Sequence, residues 1–205
     1  LARYLLKKDV SITVKNNRKD NVEIPVSKYI YVDTQETGRY SEKFAHNEQL
    51  YLKAFNDEVD SEQYDTVIVS GGPFYTFSIA KASKYKKIPC VLDFRDPWIF
   101  DYREAKEFFS PKKLYTKIRE LPKERAAVKE ASAVVTVTDG WKQDFEQYYP
   151  SQRGKFYTIS NGYDDELLTD LQKVDYNKQG KIVIGVFGKL FYYTEKYSKV
   201  FLHGI

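Results

Sequence analysis

Three ionisable side chains crowd the end of one apolar run. Ile88-Pro89-Cys90-Val91-Leu92 leads into Asp93, Phe94, Arg95 and Asp96, and Pro97 then blocks further sheet pairing. Charges at the end of a buried strand are costly unless they pair or face a cleft. Both outcomes fit the residues. An Arg95–Asp ion pair would tie a loop down, whereas a cleft would expose the charges to a ligand. Comparable endings recur along the chain. They are Ser70-Gly71-Gly72, Thr138-Asp139, Ser160-Asn161-Gly162 and Gly188-Lys189. Glycines let a ligand approach backbone N–H groups, and helix starts favour anions. If the strands are parallel, Arg95-Asp96 and the first three of these endings share one edge of a sheet, where α/β proteins bind ligands. Taken singly, Gly71-Gly72-Pro73 and Asn161-Gly162 could also be tight turns.

The elements that must position these residues follow from periodicity. Val10 to Val14 alternates as a strand, and Tyr29 to Val32 forms a second. Asp33 to Arg39 is a loop with Gly38. Ser41 to Phe55 is helical, with Phe44, Leu50, Tyr51 and Phe55 as its apolar stripe. Tyr64 to Val69 is a buried strand, and Phe74 to Tyr85 a helix with Pro73 at its start. After the Ile88–Phe94 strand, Lys112 to Ala131 reads as a helix with Leu114, Ile118 and Leu121 inward and a kink or break at Pro122. Ala133 to Val137 is another strand. Trp141 to Tyr149 is a short helix capped by Thr138 or Asp139. Phe156 to Ile159 and Lys181 to Phe187 complete the strands.

Strands alternating with helices predict an α/β fold with a parallel sheet. Residues 1–165 are expected to form one Rossmann-like domain. Residues 166–180 read as a polar connector, and 181–205 as the beginning of a second domain. The chain opens at Leu1 on a helical pattern, so the expectation is that an earlier strand and loop precede it.

Composition excludes several classes. The net charge of +4 is too small to argue for nucleic acid. It is concentrated between Lys112 and Glu130, where seven basic side chains face three acidic ones. Such a run is usually a solvated face, though a basic helix can also meet anionic lipid. The lone Cys90 cannot form an internal disulfide, and it reads as a small apolar core residue. His46 and His203 lack metal-ligand spacing, so no zinc site is expected. No complete phosphate loop, dinucleotide fingerprint or nucleophile elbow is present.

Five stretches in order then carry a resemblance: Asp65 to Pro73, Val91 to Trp98 with its Arg-Asp-Pro-Trp, Ala131 to Thr138, Thr158 to Asp164 with its Ser-Asn-Gly-x-Asp, and Ile184 to Leu190. The set resembles the bacterial family 4 glycosyltransferases of the GT-B fold, in the branch with the Arg-Asp-Pro-Trp signature. The resemblance runs from Tyr64 to the end. It implies two Rossmann-like domains across a cleft, with the acceptor on the first and a nucleotide-sugar donor on the second. It also implies transfer with retention of anomeric configuration, without a bound metal or cofactor. The acceptor class it suggests is a glycan or lipid-linked acceptor in surface polysaccharide synthesis. The location it suggests is cytoplasmic, at the inner face of the cell membrane, with the basic segment as a peripheral contact to anionic lipid.

Carried onto these positions, the resemblance makes Asp96 the group that orients the acceptor hydroxyl or takes its proton, with Arg95 holding its charge. Gly71, Gly72, Pro73, Trp98 and Asp139 would line the acceptor side. Gly188, Lys189, Lys196 and Asn161 would meet the donor, with Lys189 the better diphosphate contact and Lys196 the weaker. The family's glycine-rich loop after its first strand and its donor motif with two glutamates are not in these 205 residues. The chain by itself is therefore expected to be inactive. Two other readings stand beside this one. They are a GT-B UDP-sugar 2-epimerase, and a non-catalytic Rossmann-like module that binds a partner.

Overall fold

The computed structural model describes residues 13–16, 26–99, 111–162, Gly180 and Lys199. Two compact units divide the chain, Leu1–Asn161 and Gly162–Ile205. The elements below all lie in the first. Strands β1 (Thr13–Asn16) and β2 (Lys28–Tyr31) pair in parallel. Helix α1 (Tyr40–Ser61) leads to β3 (Val67–Ser70). A 3-10 helix (Phe74–Ser78) runs into α2 (Ile79–Tyr85), which is followed by β4 (Cys90–Phe94). Then come α3 (Pro111–Glu130), β5 (Ala133–Thr136), α4 (Asp139–Tyr148), a second 3-10 helix (Pro150–Lys155) and β6 (Phe156–Thr158). Strands β3, β4, β5 and β6 form a sheet in that order, and every pairing is parallel.

Register explains which side chains enter the core. Val69, Leu92 and Val134 are paired neighbours, as are Phe94, Thr136 and Thr158. Side chains alternate along a strand, so these residues share one face with Phe156. That face is closed by Phe77 from the first 3-10 helix, Ala80 from α2, Val128 from α3 and Phe145 from α4. Tyr51 and Phe55 of α1 join the same core. Strands added in one direction with crossovers of one hand place their helices on one side of the sheet. The opposite face carries Ile68, Asp93, Val135 and Tyr157. Ile68 and Tyr157 are about half exposed, at 49% and 53%.

The aromatic layer is dense. Phe77 meets Phe94 edge-on at 4.7 Å between ring centroids, and Phe94 meets Phe145 at 4.9 Å. Cys90 is buried beside Leu92, and burial pushes its thiol up to about 12. The end of α3 is closed by Lys155, whose ammonium donates to the carbonyls of Lys129 and Ala131 at 2.7 and 2.8 Å. This satisfies carbonyls that a helix end leaves open.

Three expectations change. The 74–85 helix is two pieces, because the chain leaves Pro73 in an extended conformation and its first turn winds as a 3-10 helix. Pro122 does not split α3, which runs unbroken from Pro111 to Glu130. Pro122 and Ile118 are both exposed, so the backbone donor that Pro122 lacks is missing on the solvent side of the helix. Ile118 does not point inward, being 66% exposed, and Leu121 is only part-buried. The buried stripe is instead Glu120, Glu124, Ala127 and Val128. The side chain of Leu114 and the residues 10–12 of the first expected strand lie outside the described residues.

Candidate functional site

The four parallel strands end side by side. Ser70 is the register partner of Asp93, and Phe94 that of Thr136, which in turn pairs with Thr158. The turns after them therefore bring Gly71-Gly72, Arg95-Asp96, Thr138-Asp139 and Asn161 to one edge of the sheet. The Gly71 N–H donates to the Asp93 carbonyl at 2.7 Å, and the Ile159 N–H to that of Thr136 at 2.9 Å. These bonds continue the ladder past the last strand residues and hold the edge in register.

The ionic centre of this edge is Asp93, which is 9% exposed. Its Oδ2 accepts from Arg95 Nε at 2.8 Å and from the Ser70 hydroxyl at 3.1 Å. Arg95 Nη1 also donates to Asn161 Oδ1, which links the ends of β4 and β6. The guanidinium thus spans two strand ends, and its carboxylate partner is Asp93 in place of the expected Asp96. Asp93 Oδ1 is buried without a hydrogen-bond partner among the described residues. Asp96 is exposed, and its Oδ2 lies 3.9 Å from the position of a Cβ built on Gly72. Gly72 has φ +82°, a conformation that favours glycine. So Gly72 and Asp96 are neighbours across two turns that are 24 residues apart in sequence.

The remaining residues divide by role. Pro73 is exposed and extended, just before the 3-10 helix. Trp98 stacks on Phe74, with ring centroids 5.1 Å apart and planes 3° from parallel, and it also meets Phe77 and Phe44. That is a packing position in the aromatic layer, and its indole N–H is buried without a hydrogen-bond partner among the described residues. Asp139 is exposed in the first turn of α4, where the Thr138 hydroxyl accepts the Trp141 N–H at 3.2 Å. Gly188, Lys189 and Lys196 lie outside the described residues. Among the described residues, no cluster of His, Cys, Asp and Glu could hold a metal, and no helix is long and apolar enough to cross a membrane.

Gly71 has a steric reason to be glycine. A Cβ there would stand 2.8 Å from Phe77 Cζ, 3.0 Å from Phe74 Cε1 and 3.3 Å from the Asp93 carbonyl. Gly71→Ala is expected to lower stability by about 1–3 kcal/mol by overpacking the ring layer. A urea denaturation midpoint equal to that of the parent would contradict this.

The basic run on α3 is partly used internally. Lys123 Nζ sits 3.7 Å from the centre of the Phe44 ring, a cation–π contact. Arg119 Nε donates to the buried Glu120 at 2.6 Å. One turn on, Glu124 is fully buried; it accepts from the Ile99 N–H at 3.0 Å and the Tyr149 hydroxyl at 2.6 Å. Burial pushes its carboxyl up to about 7, against the opposing pull of those two donors and Arg125. The sequence reading missed Glu124 as an organising group and left open which aspartate pairs with Arg95, which is Asp93. An acid repeating the helical stripe of Ala127 and Val128 was the available signal for the first.

The family profile described as Glycosyltransferase Family 4 matches residues 1–167. The chain belongs to glycosyltransferase family 4. Solved structures agree at the level of fold. A glycosyltransferase from Rickettsia africae ESF-5 superposes with a TM-score of 0.54 at 14% identity, covering 83% of this chain and 40% of that one. A UDP-N-acetylglucosamine 2-epimerase superposes at 0.53 and 15% identity, covering 82% and 44%. A UDP-GlcNAc 2-epimerase from Methanocaldococcus jannaschii gives 0.50 and 15%, covering 78% and 40%. This family 4 chain therefore has the α/β architecture of about half a GT-B-fold protein, and it spans less than half the length of each of these structures. Comparison with curated protein sequences gives no significant match.

Proposed function

We propose that residues 1–165 are the acceptor-side domain of a retaining glycosyltransferase. It moves a sugar from a nucleotide sugar to a glycan or a lipid-linked acceptor at the inner face of the cell membrane. The observation that carries this reading is the shared edge of four parallel strands, where exposed Asp96 stands beside Gly72 and an Arg95 braced by Asp93 and Asn161. The family match supplies the reaction class.

In this reading the acceptor hydroxyl lies over Gly72, where there is no side chain to obstruct it, and Asp96 takes its proton. The bond between the anomeric carbon and the phosphate oxygen breaks, and its electron pair leaves with the nucleoside diphosphate. The acceptor oxygen forms the new bond to the same carbon. Arg95 sets a fixed positive charge at the rim, and its orientation is decided before substrate arrives. Asn161, expected at the donor, is committed to Arg95 in this arrangement, so its role is to aim the guanidinium. Residues 166–180 would connect to a donor-binding domain begun by 181–205. There Gly188 and Lys189, with Lys196 behind them, would meet the diphosphate.

The test joins residues 1–205 to a complete donor-binding domain and offers UDP-, GDP- and dTDP-sugars with glycan and lipid-linked acceptors. Sugar appearing on an acceptor is expected from one donor class, and residues 1–205 alone should give none. Release of a 2-epimerised sugar without transfer would replace this reading with the epimerase one. A joined chain that is folded and turns over nothing would overturn it.

A further inference from the structure

The turn that carries Asp96 is fastened at three points. Arg95 is bound to Asp93, the Trp98 ring lies on Phe74, and the Ile99 N–H is held by Glu124. The first two are an exposed-edge ion pair and a stacking contact. The third is different in kind, because its acceptor is a carboxyl with no access to solvent. Glu124 also takes the Tyr149 hydroxyl, so a single side chain joins this turn to α3 and to the end of α4.

A buried carboxyl can serve this purpose in two protonation states of unequal worth. Un-ionised, it accepts the Ile99 N–H on its carbonyl oxygen and exchanges one hydrogen bond with the Tyr149 hydroxyl. Ionised, it accepts from both, but it leaves a negative charge away from water. The groups acting on it among the described residues are Tyr149 from the end of α4, the Ile99 N–H from the turn, and Arg125 on α3, where Glu120 lies one turn before it in sequence. Arg125 is exposed, and Glu120 is already engaged by Arg119 and Lys123. None of them is a buried cation placed to neutralise the charge.

We propose that Glu124 is the positioning residue of the Arg95–Ile99 turn, holding it closed while un-ionised and loosening it on ionisation. Its bearing on sugar transfer rests on the reading of Asp96 given above, but the hold itself does not. The sign follows from linkage. The closed turn retains a proton that the opened, hydrated carboxyl gives up, so rising pH favours opening. Supporting this direction, burial raises the Glu124 carboxyl to about 7 in the closed form.

The test is amide hydrogen exchange of Ile99 by NMR on the protein without any ligand, corrected for the intrinsic rate at each pH. Ile99 protection is expected to fall by one to two orders of magnitude, roughly, between about pH 5 and about pH 8. Glu124→Gln keeps an acceptor for Ile99 and a donor for Tyr149 and cannot ionise. Its Ile99 protection is expected to stay at the low-pH level throughout. Glu124→Ala should lose that protection at every pH. If the pH dependence persists in Glu124→Gln, or if the parent shows none, the proposal is overturned. Because no sugar enters the experiment, a failed transfer assay would leave this result standing, and the reverse also holds.

Discussion

Asp96→Asn is expected to lower the rate of sugar transfer by about 10²–10⁴-fold, the usual contribution of a positioned general base. The melting temperature should stay within about a degree or two of the parent, since an exposed surface substitution of this kind is usually close to neutral. The argument is positional. Asp96 is exposed at the sheet edge, next to a turn whose left-handed glycine, Gly72, leaves space above the backbone. Arg95 gives the contrasting case, because its guanidinium braces two strand ends and its loss should cost both turnover and stability. The measurement is initial rate at saturating donor in the joined chain, alongside thermal melting. Transfer by Asp96→Asn at the parental rate would remove the assignment of the base and leave the fold untouched. Asp93 would then be the next carboxylate to test.

Phe77→Ala should destabilise the domain by about 3–5 kcal/mol. Phe77 is fully buried and meets Phe74, Phe94 and Trp98, so truncation opens a cavity at the junction of three rings. Its ring also fills the space against Gly71, and through that contact it reaches the candidate site. Urea denaturation followed by circular dichroism would show a lower midpoint at unchanged slope. A loss below about 1 kcal/mol would mean that the surrounding rings collapse into the gap.

Much of the architecture could be read from the sequence because its signals are local. Val67 to Ser70, Cys90 to Phe94 and Ala133 to Thr136 are short apolar runs closed by glycine, proline or polar residues, and each became a strand. The common edge followed from parallel pairing, which alternation of strands and helices already implied. The partner of Arg95 was not legible. Asp93 and Asp96 flank it in sequence, and only the alternation of side chains across β4, with Asp93 facing Ser70, decides between them. The resemblance places Trp98 on the acceptor side. The structure turns it back onto Phe74, where an apolar ring is better covered. The inward face of α3 was misjudged for a related reason. Leu and Ile were counted as core, and the acids Glu120 and Glu124 were not, although hydrogen bonds allow acids to be buried.

The sequestered thiol of Cys90 has a practical consequence. It is the single cysteine of the chain, it lies in the central pair of the four-stranded sheet, and almost none of it is a thiolate at neutral pH. An alkylating reagent can reach it only when β4 comes away from its neighbours. The molecule therefore contains its own label for rupture of the sheet, and modification kinetics would time that event without any engineered probe.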